Sequence, residues 1–206
     1  MQIIRISPRG FGANTYVLTE DNKHAVVIDP AQKRVEGELI KLGLTPSFVL
    51  LTHCHFDHVD GVSVLQESGA KVLCSTAEKP LVGTRADLYE LFGAPRTPFR
   101  VDETLEEGET RELCGIQITT LVTAGHTAGS ACYLVQDKNG EKYLFTGDTL
   151  FAGTIGRTDF PTGSLATLRE SLSRLALMED MPIYPGHEEE STIARERKTN
   201  PFLCDI

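Results

Sequence analysis

Four times along this chain an apolar run of strand length gives way to a histidine or an aspartate. Phe48-Val-Leu-Leu-Thr52 leads to His53, residues 116–122 lead to His126, Lys142-Tyr-Leu-Phe-Thr146 leads to Gly147-Asp148, and Pro182-Ile-Tyr-Pro185 leads to Gly186-His187. Apolar runs this short read as buried strands rather than helices. The chain must therefore build a rigid sheet scaffold whose strand ends deliver polar side chains to one point. The first of these ends is the richest, because Leu51-Thr-His-Cys-His-Phe-Asp-His58 carries three histidines and Asp57. Five of the six histidines thus stand at strand ends, and only His24, after the turn Asp21-Asn22-Lys23, is left over. Imidazole nitrogens and carboxylate oxygens gathered in this way suit a divalent cation, so the chain reads as a metalloenzyme.

At 206 residues with 40% hydrophobic side chains, the sequence fits one large domain spanning 1–206 that can bury a substantial core. A net charge of -9 and a pI near 5.2 argue against nucleic acid as a partner, which would call for a basic surface. The one basic cluster, Arg195-Glu-Arg197-Lys198, reads as a solvated helix face. Neither a leader pattern nor an apolar run near the roughly 20 residues that span a bilayer is visible, so the expectation is a cytoplasmic protein with no membrane partner. Five cysteines, odd in number and without a Cys-x-x-Cys pair, predict reduced thiols rather than disulfides or a thiolate zinc cage. Cys132 reads as a core residue, and alternation in the loop points Cys54 away from its histidine neighbours.

The remaining pattern predicts strands at about 2–6, 14–19, 25–29, 71–74, 110–114 and 130–136, and helices at about 33–42 and 59–68. Leu165, Leu168, Leu172 and Leu175 recur at helical spacing, which predicts an amphipathic helix over 164–178. Residues 76–100, with Ala86–Phe92 followed by Gly93, Pro95 and Pro98, read as a helix-bearing excursion over the site. Asp29, at a strand end beside Pro30, has two readings: a turn former, or a hydrogen-bond acceptor for the histidine loop.

Thr52-His-x-His-x-Asp-His58, the single His126, Gly147-Asp-Thr149 and the late Gly186-His187 together resemble the metallo-β-lactamase superfamily. Phe151-Ala-Gly-Thr-Ile-Gly-Arg-Thr-Asp-Phe-Pro161 and Thr199-Asn-Pro-Phe-Leu203 are similar to its short, single-domain, glyoxalase II-like branch. The resemblance implies an αββα sandwich, an α/β fold of two mixed sheets flanked by helices, with two metal ions at one edge. It implies His53, His55 and His126 on one ion, Asp57, His58 and His187 on the other, and Asp148 between them. Zinc is the favoured pair of ions, with iron or manganese as alternatives. Asp57 and Asp148 are then the candidate catalytic carboxylates. Two ions about 3.5–4 Å apart can lower the pKa of a shared water toward roughly 7.

The activity implied is hydrolysis of a small thioester, with a hydroxyacyl thiol such as S-lactoylglutathione as the model substrate. The same segments also resemble persulfide dioxygenases, which use a single iron held here by His53, His126 and Asp148. A non-catalytic module stapled by metal fits less well, since seven ligands exceed the four of a closed structural site. Two-domain glyoxalase II enzymes carry a Lys-x-Tyr near Arg157-Thr-Asp159 and draw glutathione contacts from a C-terminal helical domain, whereas 19 residues follow His187 here. Arg157 has two readings, a substrate-binding cation or a structural partner of Asp159.

Overall fold

Alternation along the strands sets the layers. The computed structural model describes residues 1–10 and 12–204. Its first sheet runs in the order β1 (Gln2–Ile6), β2 (Thr15–Thr19), β3 (His24–Ile28), β4 (Thr45–Leu51), β5 (Lys71–Ser75) and β6 (Glu103–Leu105). The first three strands pair antiparallel, and β3 to β6 pair parallel. On this sheet Val17, Ala25, Val27, Val49, Leu51 and Val72 face outward, where helices α1 (Val35–Leu42) and α3 (Val62–Glu67) cover them with Val35, Leu39, Val62 and Leu65. Their neighbours Leu18, Val26, Ile28, Leu50 and Leu73 face inward.

The second sheet places β7 (Thr110–Leu113), β8 (Ile116–Val122), β9 (Ala131–Gln136) and β10 (Lys142–Gly147) in antiparallel succession, then β13 (Pro182–Pro185) parallel to β10, then β14 (Ser191–Thr192). Ile116, Ile118, Tyr133, Val135 and Phe145 meet the inward face of the first sheet. On the outer side Cys132, Leu144 and Ile183 pack against Leu168, Leu172 and Leu175 of α5 (Leu165–Ala176) and Ile193 of α6 (Ile193–Thr199). The predicted period of four leucines is therefore the buried stripe of α5, whose first turn Ser164 caps by accepting from Thr167 N, a contact worth about 1 kcal/mol. Three apolar layers between four structural layers make the expected αββα sandwich.

Two phenols tie the sheets together beneath the strand ends. Tyr133 on β9 donates to Leu51 O at 2.7 Å, and Tyr16 on β2 donates to Pro185 O at 2.8 Å. Each acceptor lies just before a histidine-bearing loop, so the sandwich core fixes the loops' relative height.

Several elements differ from the sequence reading. Strand β4 begins at Thr45 rather than Phe48, because the register shift between Ala25 and Val26 accommodates Pro46. The helix expected over 59–68 is two short pieces, α2 (Phe56–Val59) and α3. Gly61 separates them: its N–H donates to Pro30 O at 2.7 Å, and the close passage of the Pro30–Gln32 backbone leaves no room for a side chain. The excursion holds a 3₁₀ turn at Arg85–Asp87 and α4 (Tyr89–Phe92), split at Leu88 with φ 65°. Strands β6, β14 and the pair β11 (Leu150–Phe151) and β12 (Thr154–Ile155) are too short to read from sequence. The basic cluster does fall on a helix, α6. Among the described residues no helix is long and apolar enough to cross a membrane.

Candidate metal centre

Every strand end singled out in the sequence reaches one edge of the sandwich. Thr52 and His53 follow β4 directly, Asp148 follows β10, and Gly186-His187 follows β13, whereas His126 stands four residues beyond β8 on its own turn. The rings of His53, His55 and His126 lie with centroids 4.5–4.7 Å apart, His58 lies 4.1 Å from His53, and His187 lies 5.3 Å from His58. Ligand atoms group as His53, His55 and His126; as His53, His58 and Asp148; and as Asp57, His58 and His187, each set within 4.8 Å. Asp148 stands among them, with Oδ1 3.2 Å from His58 Nε2 and Oδ2 3.5 Å and 3.7 Å from Nε2 of His126 and His187. Asp57 Oδ2 is 3.3 Å from His187 Nε2. All seven predicted ligands are thus brought together.

Three imidazoles are oriented by what their Nδ1 touches. His58 Nδ1 meets Asp29 Oδ2 at 2.9 Å, His126 Nδ1 meets Arg157 O at 2.7 Å, and His53 Nδ1 meets Thr52 Oγ1 at 3.1 Å. Thr52 Oγ1 itself donates to Asp29 Oδ2 at 2.6 Å, which leaves its lone pairs free to accept from His53. A proton on each Nδ1 presents a bare Nε2 to the centre, the tautomer a metal ligand requires. His53 Nε2, His58 Nε2 and Asp148 Oδ1 are buried without a hydrogen-bond partner among the described residues. Orphaned buried acceptors are costly, about 1–3 kcal/mol each. Three of them converging on one point fit a divalent cation, and the absence of thiolates from the cluster favours a borderline ion with N and O ligands.

Electrostatics divide the same residues. Burial and the neighbouring rings of His58 and His55 push His53 well below the ordinary imidazole value, and burial with His126 holds His55 at about 3. Burial also disfavours charge on His58, but the carboxylates of Asp148 and Asp29 outweigh it and raise that ring. Burial likewise opposes ionisation of Asp148, and His58, His187 and His126 overcome it and lower the carboxyl. The raised ring of His58 and the lowered carboxyl of Asp148 arise from one mutual contact, where a proton and a cation would compete.

Asp29 fulfils both of its readings, since it turns the chain at φ 48° and accepts from Thr52 N at 2.8 Å as well as contacting Thr52 Oγ1 and His58. Arg157 takes the structural reading, forking onto Asp159 at 2.8 and 2.7 Å, and it also lines the cavity beside the centre. Cys54 is buried and lines a separate small cavity with Tyr89 and Phe99, and burial pushes its thiol up. His24 caps nothing at the site and pairs with Asp21.

One contributor escaped sequence reading. Glu78 is fully buried, accepting from Cys54 N at 2.8 Å and from Thr127 Oγ1 at 2.6 Å, and so clamps the His53–His58 loop to the His126 loop. Burial raises its carboxyl. Ser75-Thr-Ala-Glu78 has the pattern of a helix capping box, which disguises it. Glu78 N does donate to Ser75 Oγ, but the carboxylate turns away to the loops.

Two facing mixed sheets, outer helices and a His/Asp cluster at one sheet edge define the class of αββα metal-binding proteins. Residues 8–187 match the family model of the metallo-β-lactamase superfamily. The chain belongs to that superfamily. Hydroxyacylglutathione hydrolase GloC of Haemophilus influenzae is 35% identical over 98% of this chain and 98% of its own. The mitochondrial persulfide dioxygenase ETHE1 of Homo sapiens is 32% identical over 92% of this chain and 70% of its own. Among solved structures, the BLEG-1 B3 metallo-β-lactamase superposes with a TM-score of 0.87 at 32% identity, covering 98% of this chain and 99% of that one. TTHA1623 in a di-iron-bound form gives 0.82 at 32% identity, covering 98% and 100%.

Proposed function

We propose that this chain is a metal-dependent hydrolase of thioesters, of the hydroxyacyl-thiol kind. The observation that carries the reading is the complete set of seven ligands arranged as two trios, His53-His55-His126 and Asp57-His58-His187, with Asp148 in reach of both. We assign each trio one divalent ion. Two ions held there would polarise a carbonyl and lower the pKa of a water molecule toward about 7. The similarity to a hydroxyacylglutathione hydrolase and to a protein with a di-iron centre supports both the substrate class and the number of ions.

The chain's own residues supply orientation. Asp29 and Arg157 O fix the tautomers of His58 and His126, Glu78 fixes the distance between their loops, and Asp148 keeps both trios in register. Asp57, held by the His187 ring, faces the cavity and is lowered below the ordinary carboxylate value by that contact against the opposing effect of burial. It stays an acceptor there. A thiolate leaves without a proton donor, so the wall need only position the ester. Free-thiol release from S-lactoylglutathione by the metal-loaded protein tests the reading. Asp148→Asn should abolish release while leaving the circular dichroism spectrum unchanged.

The resemblance to ETHE1 favours a second reading, a persulfide dioxygenase with one iron on His53, His126 and Asp148. It gives no role to Asp57, His58 and His187, whose ligand atoms also cluster.

A further inference from the structure

Beyond the ligand atoms, the cavity beside the centre is walled by Phe56, Leu88, Phe92, Phe151, Ile155 and Phe160, and it holds about 630 Å³. Three phenyl rings form a continuous path to the histidines. Ring centroids are 5.1 Å apart for Phe56 and Phe92, 5.9 Å for Phe92 and Phe160, and 5.7 Å for Phe160 and His55. Phe92 ends the short helix α4 and remains 53% exposed, so folding gains little from its being aromatic. A half-exposed ring on a cavity wall, in line with two others, is a surface for a ligand to cover.

The wall is poor in free charge. Among the described residues Arg157 is its one permanent cation, and it is already engaged: its guanidinium forks onto Asp159 and lies 3.8 Å from the centre of the Phe160 ring. The remaining charged side chain outside the seven ligands is Glu188, a carboxylate. A substrate carrying two carboxylates, as glutathione does, would find one neutralised cation and one like charge on this wall.

We propose that the wall is a binding site for an apolar, aryl-bearing group of the substrate, with Phe92 and Phe160 setting specificity. The inference rests on the thioesterase reading for the bond that is cleaved, but not for the affinity of the wall. The aryl group can belong to the acyl or to the thiol half, and the test separates the two.

Binding is measured by calorimetry on metal-loaded protein with two matched pairs, mandelate against lactate for the acyl half and S-benzylglutathione against S-methylglutathione for the thiol half. One pair should show a preference of about tenfold or more for the aryl member, the scale on which apolar pockets discriminate. Phe92→Ala should collapse that ratio toward one, and Phe92→Leu should keep part of it. Equal binding within both pairs, or a preference that survives Phe92→Ala and Phe160→Ala, overturns the proposal. The ratio of kcat/KM for S-mandeloylglutathione over S-lactoylglutathione is measured alongside. An aryl binding preference without thiol release from either ester leaves the wall's role standing and removes the thioesterase reading.

Discussion

Replacing Asp29 by Asn exchanges one acceptor atom for a donor and should weaken one of the two proposed metal sites. Asn tolerates the φ of 48° at this position, so the turn survives. Its carbonyl oxygen can still accept from Thr52 N, as Oδ1 does now at 2.8 Å. The amide nitrogen then stands where Oδ2 meets both Thr52 Oγ1 and His58 Nδ1. The threonine hydroxyl can rotate to accept, but His58 can accept only by moving its proton from Nδ1 to Nε2. That proton lands on the nitrogen now 3.2 Å from Asp148 Oδ1, and His58 ceases to be a ligand. Loss of such an orienting partner weakens metal binding by about 10- to 100-fold, or about 1.4–2.8 kcal/mol. Competition with a chromophoric chelator should show one ion retained near wild-type affinity and a second weakened by that factor. Two ions bound with wild-type affinity would refute the tautomer argument.

A methyl group added by Gly186→Ala would overlap Asp148 Oδ1 and stand 2.7 Å from His58 Cε1, so elemental analysis should find less metal per chain than in wild type. Glu78→Ala should cost about 1–3 kcal/mol in urea unfolding, because Cys54 N is left unpaired while the Thr127 hydroxyl can turn to Ser130 Oγ at 2.7 Å, and the absence of any loss would remove its clamping role. In metal-free protein, burial raises the Glu78 carboxyl above its ordinary 4.5, so its stability contribution is greatest below that pH and is lost as pH rises through the folded value. Wild type should therefore gain stability relative to Glu78→Gln as pH falls toward 4, which paired unfolding curves would show. Tyr133→Phe removes the O–H that reaches Leu51 O and should lower stability by about 1–3 kcal/mol. It should also loosen the His53 loop, seen as faster amide exchange at Thr52 and His53.

The strand ends and the clustering of the side chains that follow them were legible because both rest on local chemistry. The run Val49–Leu51 is fully buried, and the buried imidazoles of His53, His55 and His58 that follow it need polar partners of their own. The leucine stripe of α5 was legible for the same reason. What escaped depends on contacts distant in sequence. Glu78 lies 24 residues from Cys54 and 49 from Thr127, and nothing near it marks a carboxylate that will be buried between two loops. The break at Gly61 depends on the backbone of Pro30 and Gln32 passing close by, and the apolar pattern of 59–68 runs straight through it. The aromatic path from Phe92 to Phe160 joins residues 68 apart that share no periodicity. Asp29 had two readings because it does two things, turning the chain and accepting from the histidine loop, and sequence separates roles only when one excludes the other.

The proposed activity is that of a two-ion hydrolase. Its most direct test is metal content by elemental analysis on protein purified without added metal, with thiol release from S-lactoylglutathione and oxygen uptake with glutathione persulfide assayed on the same sample. Two ions per chain with thiol release and no oxygen uptake is the predicted result. One iron per chain with oxygen uptake and no thiol release would contradict it.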